Sequence, residues 1–579
     1  MAVSDAQPQV PLRVGFLDRV HARWATRGSV RGTFAVSPEP RSIGHLSRGR
    51  QLAAGDFLFA GDLIRQPGSD LWQIDPPTPR FEAELHRFGW LADLAALGGA
   101  KGRTIAQRWV LGWIDAFGDG TGPGWTPELT GRRLIECVHH SQMLLRKLEP
   151  ADADRIRGSL RQQAVFLGRR WTSAPGGLAR FEALTGLLIA ACAIEGLDRF
   201  IGPASDGLSR AATKDIDAGG GIPTRNPEDL LSLFTLLQWA EGALAEAGHE
   251  PRAGHQTAME RIAPVLRALR HSDGGLARFH GGGRGVEGRL DEALAGSGLR
   301  AAIGDGPHMG YARLASGRTT ILADAAPPPM RAFSLKAHAA TCAFEMTSGR
   351  RPLIVNCGPG ADFGPVWSRA SRATPSQSTL GLEGVSSSRI AKRQNGNPLV
   401  EGPQEVGVQF RKHRNGTRLE LSHDGYTESY GLTHRRSLEL SRDGRSLSGE
   451  DMLVAAQKMH EIRFDRIMKE LDQQGVGFTI RFHLHPDVQA SLDEDLNYVR
   501  LTLMSGEVWN FGFEGYETLA LDPSVYLERG NLKPQTTQQI VLTGRAMSYS
   551  TRVRWILAKS QTTPDALRDL NIEMTDADE

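Results

Sequence analysis

Cysteine is scarce and scattered. The four that occur, Cys137, Cys192, Cys342 and Cys357, form no Cys-x-x-Cys pair. Neither a disulfide framework nor a zinc-finger spacing can be built from them, and they read as free, buried thiols. An excess of one charge is also missing. The 68 basic side chains face 66 acidic ones, a net charge of +2. That balance excludes binding driven by wholesale counterion release from nucleic acid, while leaving room for a local basic groove. No run approaches the roughly 20 apolar residues that a membrane span requires, so no spanning segment is expected. The opening residues, MAVSDAQPQVPLRVGFLDRV, lack the basic start and long apolar run of a secretory signal. Taken alone, this favours a cytoplasmic protein. No internal repeat is visible. The glycine-rich stretch HSDGGLARFHGGGRG (271–285) is followed by no GKS or GKT, which excludes a phosphate loop.

What is present divides the chain of 579 residues into parts, as expected for a length beyond one hydrophobic core. Residues 1–70, rich in Gly, Pro, Ser and Arg, read as irregular. From 71 to 308 the apolar period is helical. Phe81, Leu85, Phe88, Ala92 and Ala95 share one face of a helix over 81–97, as do Ile105, Trp109, Gly112, Trp113 and Ala116 over 105–117. Further amphipathic stretches run near 131–147, 152–171, 180–196, 228–247 and 256–270. Short loops between them make antiparallel neighbours. Periodicity leaves open whether such helices close into a toroid, stack as a solenoid or form a bundle. Near 305–315 the texture changes to short alternating runs such as TTILADA, TRLELSHDG and GFTIRFHLH. The pairs Asp424-Gly425 and Asp443-Gly444 are hairpin signals, and residues 309–560 read as an antiparallel sandwich. An acidic tail, 561–579, is expected to fray.

Several segments resemble the heparinase II/III family of polysaccharide lyases. The strongest is Ala337-His338-Ala339 followed by CAFEMTSGRRPLIVNCG (342–358), similar to the family's HAD-x-L-x-FEL…G…LLVDxG strand pair. Others are ELHRFGWLADLAALG (84–98), GLARFEALTGLLIA (177–190), HDGY…HRRSLEL (423–440) and RFHLHP (481–486). The resemblance implies an α+β multidomain chain, an incomplete α/α toroid followed by an antiparallel β-sandwich. It also implies a cleft between them for an acidic polysaccharide or oligosaccharide, and a location in the cell envelope or periplasm. The absent signal peptide points inward instead.

Lyases of this family cleave the bond to O4 of a uronic acid by β-elimination. The carboxylate must be neutralised, the C5 proton removed and the departing oxygen protonated. The resemblance implies that His338 is the sandwich histidine of the acid–base pair and that Glu182 matches the glutamate of the toroid motif. The partners depart from the pattern. The toroid Asn and His positions fall on Leu178 and Ala179, and the Tyr position falls on Asp229. All seven tyrosines lie at or beyond Tyr311, so the helical half has none to offer. Positions that hold a metal in some relatives fall on Ala340, Asn356 and Gln377, a poor donor set. No metal and no other cofactor is expected. Three readings remain, a lyase or another polysaccharide-active enzyme that uses other groups, a glycan-binding protein that no longer catalyses, and an interaction scaffold.

Candidate substrate contacts complete the set. Arg180 lies beside Glu182. Arg225 and Asn226 lie on a loop before a helix, where they suit a carboxylate, although Asn226-Pro227 is also an ordinary helix start. His280 sits in the glycine-rich stretch, which suits a polar lip around an anionic sugar. Tyr311 is a candidate replacement acid. The sequence does not fix the sugar or the oligomeric state.

Overall fold

Helices begin where the sequence supplies a cap. Thr78 and Thr126 each accept an N–H of the first turn through the side-chain oxygen, from Phe81 at 3.1 Å and Leu129 at 3.4 Å, and each precedes a proline. Capping satisfies a donor that the helix leaves unpaired, and proline there loses nothing. The computed structural model describes residues 14–27, 33–35, 39–42, 44–300, 302–392, 397–493, 495, 497–515 and 517–561. The tail expected at 561–579 therefore lies outside the described residues from 562 onward.

Two compact units divide the chain. The first takes Met1–Ile222, Asp229–Ala263 and Asp291–Ala301, and the second takes Pro223–Glu228, Pro264–Leu290 and Ala302–Glu579. The division is thus not a single cut near residue 310. Two pieces of the helical half, with Arg225, Asn226 and the glycine-rich stretch, group with the strands.

The helices that precede the sandwich strands are α1 (Phe16–Ala25), α2 (Leu46–Ala54), α3 (Pro79–Arg87), α4 (Trp90–Leu97), α5 (Gly99–Phe117), α6 (Pro127–His139), α7 (Ser141–Leu145), α8 (Pro150–Arg170), α9 (Leu178–Ala193), α10 (Ile201–Asp215), α11 (Pro227–Glu246), α12 (Ala253–Ala268) and α13 (Arg289–Gly296). The segment 1–70 is not irregular throughout. It carries α1, α2 and a hairpin of Asp56–Phe59 with Asp62–Arg65. The single helix expected over 81–97 is two, because Phe88 adopts a left-handed φ of 63°. Its ring is buried against Trp90 and Trp113, at centroid distances of 4.7 and 5.9 Å, and that packing offsets the backbone strain. At the centre of the unit α6 crosses α9 at Gly131 and Gly186. A Cβ on either would lie within 2.3 Å of the other helix's backbone, so only glycine permits the approach.

The second unit holds two eight-stranded antiparallel sheets. One runs in the order Val406–His413, Gly416–Tyr426, Leu432–Ser441, Ser446–Val454, Ser550–Lys559, Val508–Glu514, Tyr498–Thr502, Gln489–Asp493. The other runs Thr518–Tyr526, Gln535–Ala546, Val476–Leu484, Arg351–Val355, Phe344–Ser348, Thr319–Asp324, Tyr311–Ser316, with Leu380–Leu382 beside Val476–Leu484. Their inner faces meet in an apolar core, where Phe344 stacks on Trp555 at 5.9 Å and Phe482 meets the same ring edge-on at 4.8 Å. Asp443-Gly444 makes the expected hairpin turn. Asp424-Gly425 does not. Its strand continues to Tyr426 with a bulge after His423, and the chain reverses through the short helical turn Thr427–Tyr430 and the left-handed Gly431. The N–H of Gly425 bonds His423 Nδ1 at 3.1 Å, which holds the bulge in place of a turn.

Candidate functional site

Five of the seven residues singled out from the sequence belong to the second unit. Tyr311 opens one strand and Asp324 closes the next, and the two are register partners. Arg225 lies on the loop before α11, His280 in the glycine-rich stretch, and His338 on the loop that follows the short turn Arg331–Phe333. The structure brings four of them, Arg225, His280, Tyr311 and His338, together around Asp324. Each of these side chains is pinned by another group of the protein.

Arg225 pairs with Asp324, which is fully buried. Its remaining donors go to the carbonyls of Met309 (3.1 Å), Gly310 (2.8 Å) and Pro327 (2.8 Å). The guanidinium covers the ring of Tyr311 at 4.7 Å, and the Tyr311 hydroxyl donates to the Arg225 carbonyl. Burial holds the Tyr311 hydroxyl far above its usual pKa. Burial also works to raise Asp324, but Arg225 and His280 outweigh it, so the carboxylate is held below its ordinary range. Arg225, His280, Met309 and Cys342 all adopt left-handed φ values between 49 and 67°. Such strain in non-glycine residues persists only where the surroundings over-determine it.

The histidines form a directed chain. The backbone N–H of His338 donates to His280 Nδ1 at 3.1 Å, which leaves the His280 proton on Nε2, 3.3 Å from Asp324 Oδ2. The N–H of Gly281 donates to His338 Nε2 at 3.0 Å, so the His338 proton sits on Nδ1, on the Gln377 side. Both rings are neutral. Burial, then the neighbouring His280 and Arg372, hold His338 well below the usual histidine value, and burial lowers His280 against the pull of Asp324. The lone pair that a general base would use, on Nε2, is therefore occupied.

Asn226 is buried and its Oδ1 accepts the N–H of Glu228 at 2.9 Å, capping α11. Glu182 and Arg180 lie in the helical unit, on α9. Glu182 is buried and paired with Arg87. Burial raises its pKa against the attraction of Arg87 and Arg132. Arg180 donates to the carbonyls of Thr172 (3.1 Å) and Ala174 (2.6 Å). Both act as ties within that unit.

A second polar group in the sandwich unit was not read from the sequence. Glu345 lies 3.3 Å from His271 Nε2 and accepts the Arg278 N–H at 2.9 Å. Arg278 in turn bonds the carbonyls of Asn356 and Leu527 and covers the ring of Tyr526 at 4.0 Å. These residues line a cavity of about 30 Å³, room for a water or two and far below the about 300–1,000 Å³ of a small-molecule site. The signal for Asp324 and Glu345 was present, since each is an acid inside an apolar strand (TTILAD and FEMTS) and must find a buried partner.

The metal that some relatives hold in the sandwich does not fit here. Ala340 offers no donor. Asn356 is spent on Glu345 and the Ser378 N–H, and the Gln377 amide donates to the Ser371 carbonyl. A different trio, Cys342, His423 and His434, brings its ligand atoms within 4.8 Å of one another. Its hydrogen bonds close without an ion. Gly425 donates to His423 Nδ1, His423 Nε2 to His434 Nδ1 (3.2 Å), and His434 Nε2 to Asp451 (2.8 Å). Arg436 completes the charge balance on Asp451.

Residues 299–556 match the family described as Heparinase II/III-like, C-terminal. FtsZ-localized protein C of Caulobacter vibrioides is 29% identical over 545 residues, covering 92% of this chain and 91% of that protein. Among solved structures, Heparinase III superposes with a TM-score of 0.64 at 11% identity, over 96% of this chain and 88% of that one. A heparan sulfate lyase HepC mutant from Pedobacter heparinus gives 0.57 at 15%, over 95% and 88%. At such identities the likeness concerns the fold alone. Among the described residues no helix is long and apolar enough to cross a membrane. Residues 299–556 are thus similar to a heparinase II/III-like C-terminal domain, in a chain with the toroid-plus-sandwich fold of heparinase III.

Proposed function

We propose that this chain is a catalytically silent member of the heparinase-like fold, working as a binding protein that localises with FtsZ. One observation carries the loss of catalysis. His338, the one acid–base residue that the resemblance supplies, is buried with its Nε2 capped by the Gly281 N–H and its charge suppressed. General acid–base work needs a group within reach of the substrate proton and a pKa near the working pH. Arg225 and Tyr311, which would neutralise and protonate, are committed to carbonyls and to Asp324. The helical half has no tyrosine to replace them. The partner is inferred from the relative named FtsZ-localized protein C, whose likeness runs through nearly the whole of both chains.

The second reading is a polysaccharide lyase acting on a uronic-acid glycan by β-elimination. The family match of the C-terminal domain favours it. One pair of measurements separates the two. The purified chain is incubated with a panel of acidic glycans while the ultraviolet absorbance of the unsaturated uronate product is followed. A fluorescent fusion is imaged together with labelled FtsZ. The binding reading expects a flat absorbance trace and co-localisation. An absorbance rise that His338→Ala abolishes would establish the lyase, and a diffuse fusion would remove FtsZ as the partner.

A further inference from the structure

One end of the sandwich is lined with arginine. Four tight turns close there, with the sequences ASGRTT (315–320), TSGRRP (347–352), RKHRNG (411–416) and SRDGRS (441–446). Hydrogen bonds join the turns into one surface. The N–H of Gly349 donates to the Arg318 carbonyl (2.7 Å), the Thr319 hydroxyl to the Gly444 carbonyl (2.7 Å), and the N–H of Arg442 to the Asn415 carbonyl (2.8 Å). Arg318, Arg350, Lys412, Arg414 and Arg442 are exposed on it, with Arg351 and Arg445 half-buried beside them. The acids nearby are engaged locally. Asp443 accepts from the Ser441 hydroxyl and the Arg445 N–H within its own turn, Asp305 pairs with Lys412 and Glu439 with His413, and Glu507 is buried against Ser348 and Lys559. A solvated surface ordinarily interleaves both signs, because like charges held together repel. In a chain whose net charge is +2, so local an excess points to an anionic partner.

The chain itself carries such a partner. The strand Ser550–Lys559 ends inside this surface, where the Lys559 N–H donates to the Arg445 carbonyl (2.8 Å) and Arg445 Nη2 to the Ser560 carbonyl (3.3 Å). Residues 562–579 follow at once. Their sequence, TTPDALRDLNIEMTDADE, sets the acids Asp565, Asp569, Glu573, Asp576, Asp578 and Glu579 against the one base Arg568. Reach is ample. In the sheet order the Arg414 turn lies three to four strands from Lys559, roughly 15–20 Å at about 4.8 Å per strand. Residues 562–579 in extended form cover roughly 60 Å. We propose that the four turns form a docking surface for an extended acidic segment, and that residues 562–579 occupy it in the same molecule. Charge and tether together choose this occupant. A segment joined to the surface by a short link is present there at an effective concentration of about millimolar, so weak attraction suffices to seat it. A separate acidic chain would first have to displace it. A second copy meeting turn to turn would set arginine against arginine. The inference rests neither on the reading of His338 nor on FtsZ.

The test uses a fluorescein-labelled peptide of residues 562–579 and three full-length proteins, read by fluorescence anisotropy at low salt. The first protein is wild type. The second has its tail neutralised by Asp565→Asn, Asp569→Asn, Glu573→Gln, Asp576→Asn, Asp578→Asn and Glu579→Gln. The third adds Arg350→Glu, Arg414→Glu and Arg442→Glu to the second. The tail-neutral protein is expected to bind the peptide, and raised salt should release it. Wild type should bind at least about 10-fold more weakly, because its own tail holds the surface. The charge-reversed protein should lose binding by about 10-fold or more. All three arginines lie in turns, so an unchanged thermal midpoint is the control for folding, and Arg442→Glu alone should still weaken binding severalfold. No binding to the tail-neutral protein, or binding that charge reversal leaves intact, overturns the proposal. Equal binding to wild type and to the tail-neutral protein also overturns it, since the surface would then be open to an external acidic chain. So does a wild-type dimer in sedimentation velocity that the tail-neutral protein lacks, which would seat the tail on a second copy.

Discussion

His338 Nε2 and the backbone N–H of Gly281 are 3.0 Å apart, so the ring nitrogen that would take a proton from a substrate instead caps a loop amide. The bond fixes the tautomer of His338 and anchors the glycine-rich stretch to the sandwich unit. His338→Ala leaves that amide without an acceptor and should destabilise the unit by about 1–3 kcal/mol. His338→Gln, which keeps an acceptor, should recover part of it. Urea midpoints of the three proteins check this. An alanine variant as stable as wild type would mean that the ring is not held as described.

Arg225 and Asp324 make the costliest commitment in the cluster. Arg225→Ala would leave a fully buried carboxylate with His280 alone beside it, at an expected cost of about 3–5 kcal/mol. Removing both charges in Arg225→Met/Asp324→Leu should cost less than the single change, because the unpaired charge is the expensive element. Chemical denaturation of single and double variants gives the comparison. A double variant less stable than Arg225→Ala would contradict it.

Buried histidines set the response to acid. Burial first, with neighbouring arginines in several cases, holds His86, His139 and His485 at about 3 and His255 and His483 at about 4, against 6.5 for the free side chain. Between these values and 6.5 the unfolded chain binds more protons than the folded one. Their stabilising contribution is therefore complete above pH 6.5 and is lost as the pH falls toward the folded values, by about 1.4 kcal/mol per pH unit for each histidine. The urea midpoint should drop from pH 7.5 to pH 5.5. A midpoint that rises over that interval would show these rings to be solvated.

The four thiols are buried and free. Burial pushes Cys137 and Cys192 up to about 12 and Cys357 to about 11, and raises Cys342 further. Since the thiolate is the reactive form, a thiol reagent at neutral pH should find almost nothing in the native protein and four equivalents in denaturant. A fast-reacting equivalent in the native state would reveal a thiol that the fold exposes.

Order was legible in the sequence wherever local pattern and tertiary need agree. The change from a helical to an alternating period near residue 310, the helices around Trp109 and Leu187, and the Asp443-Gly444 hairpin are of this kind. Features fixed by distant contacts were not. Helix α10, with the sequence IGPASDGLSRAATKD, has poor helix formers and is held by burying Ile201, Ala204, Leu208 and Ala211. The break at Phe88 is set by where its ring packs, and Asp424-Gly425 became a bulge because His423 captures the glycine N–H. Of the site, Arg225, His280, Tyr311 and His338 could be named. That they meet at Asp324, and are spent there on one another, follows from register and loop geometry that composition does not carry.

The assembly of the sandwich unit from three stretches of chain has an evolutionary and practical consequence. The strands after 302 hold the acids Asp324 and Glu345, while the residues that contact their carboxylates, Arg225, His271, Arg278 and His280, arrive from two loops upstream. The sandwich is therefore not a cassette that recombination or cloning can lift out at residue 302. A fragment cut there would carry two buried negative charges without their counterparts. In a growing chain the order is favourable, since the upstream loops are already made when the strands that need them emerge.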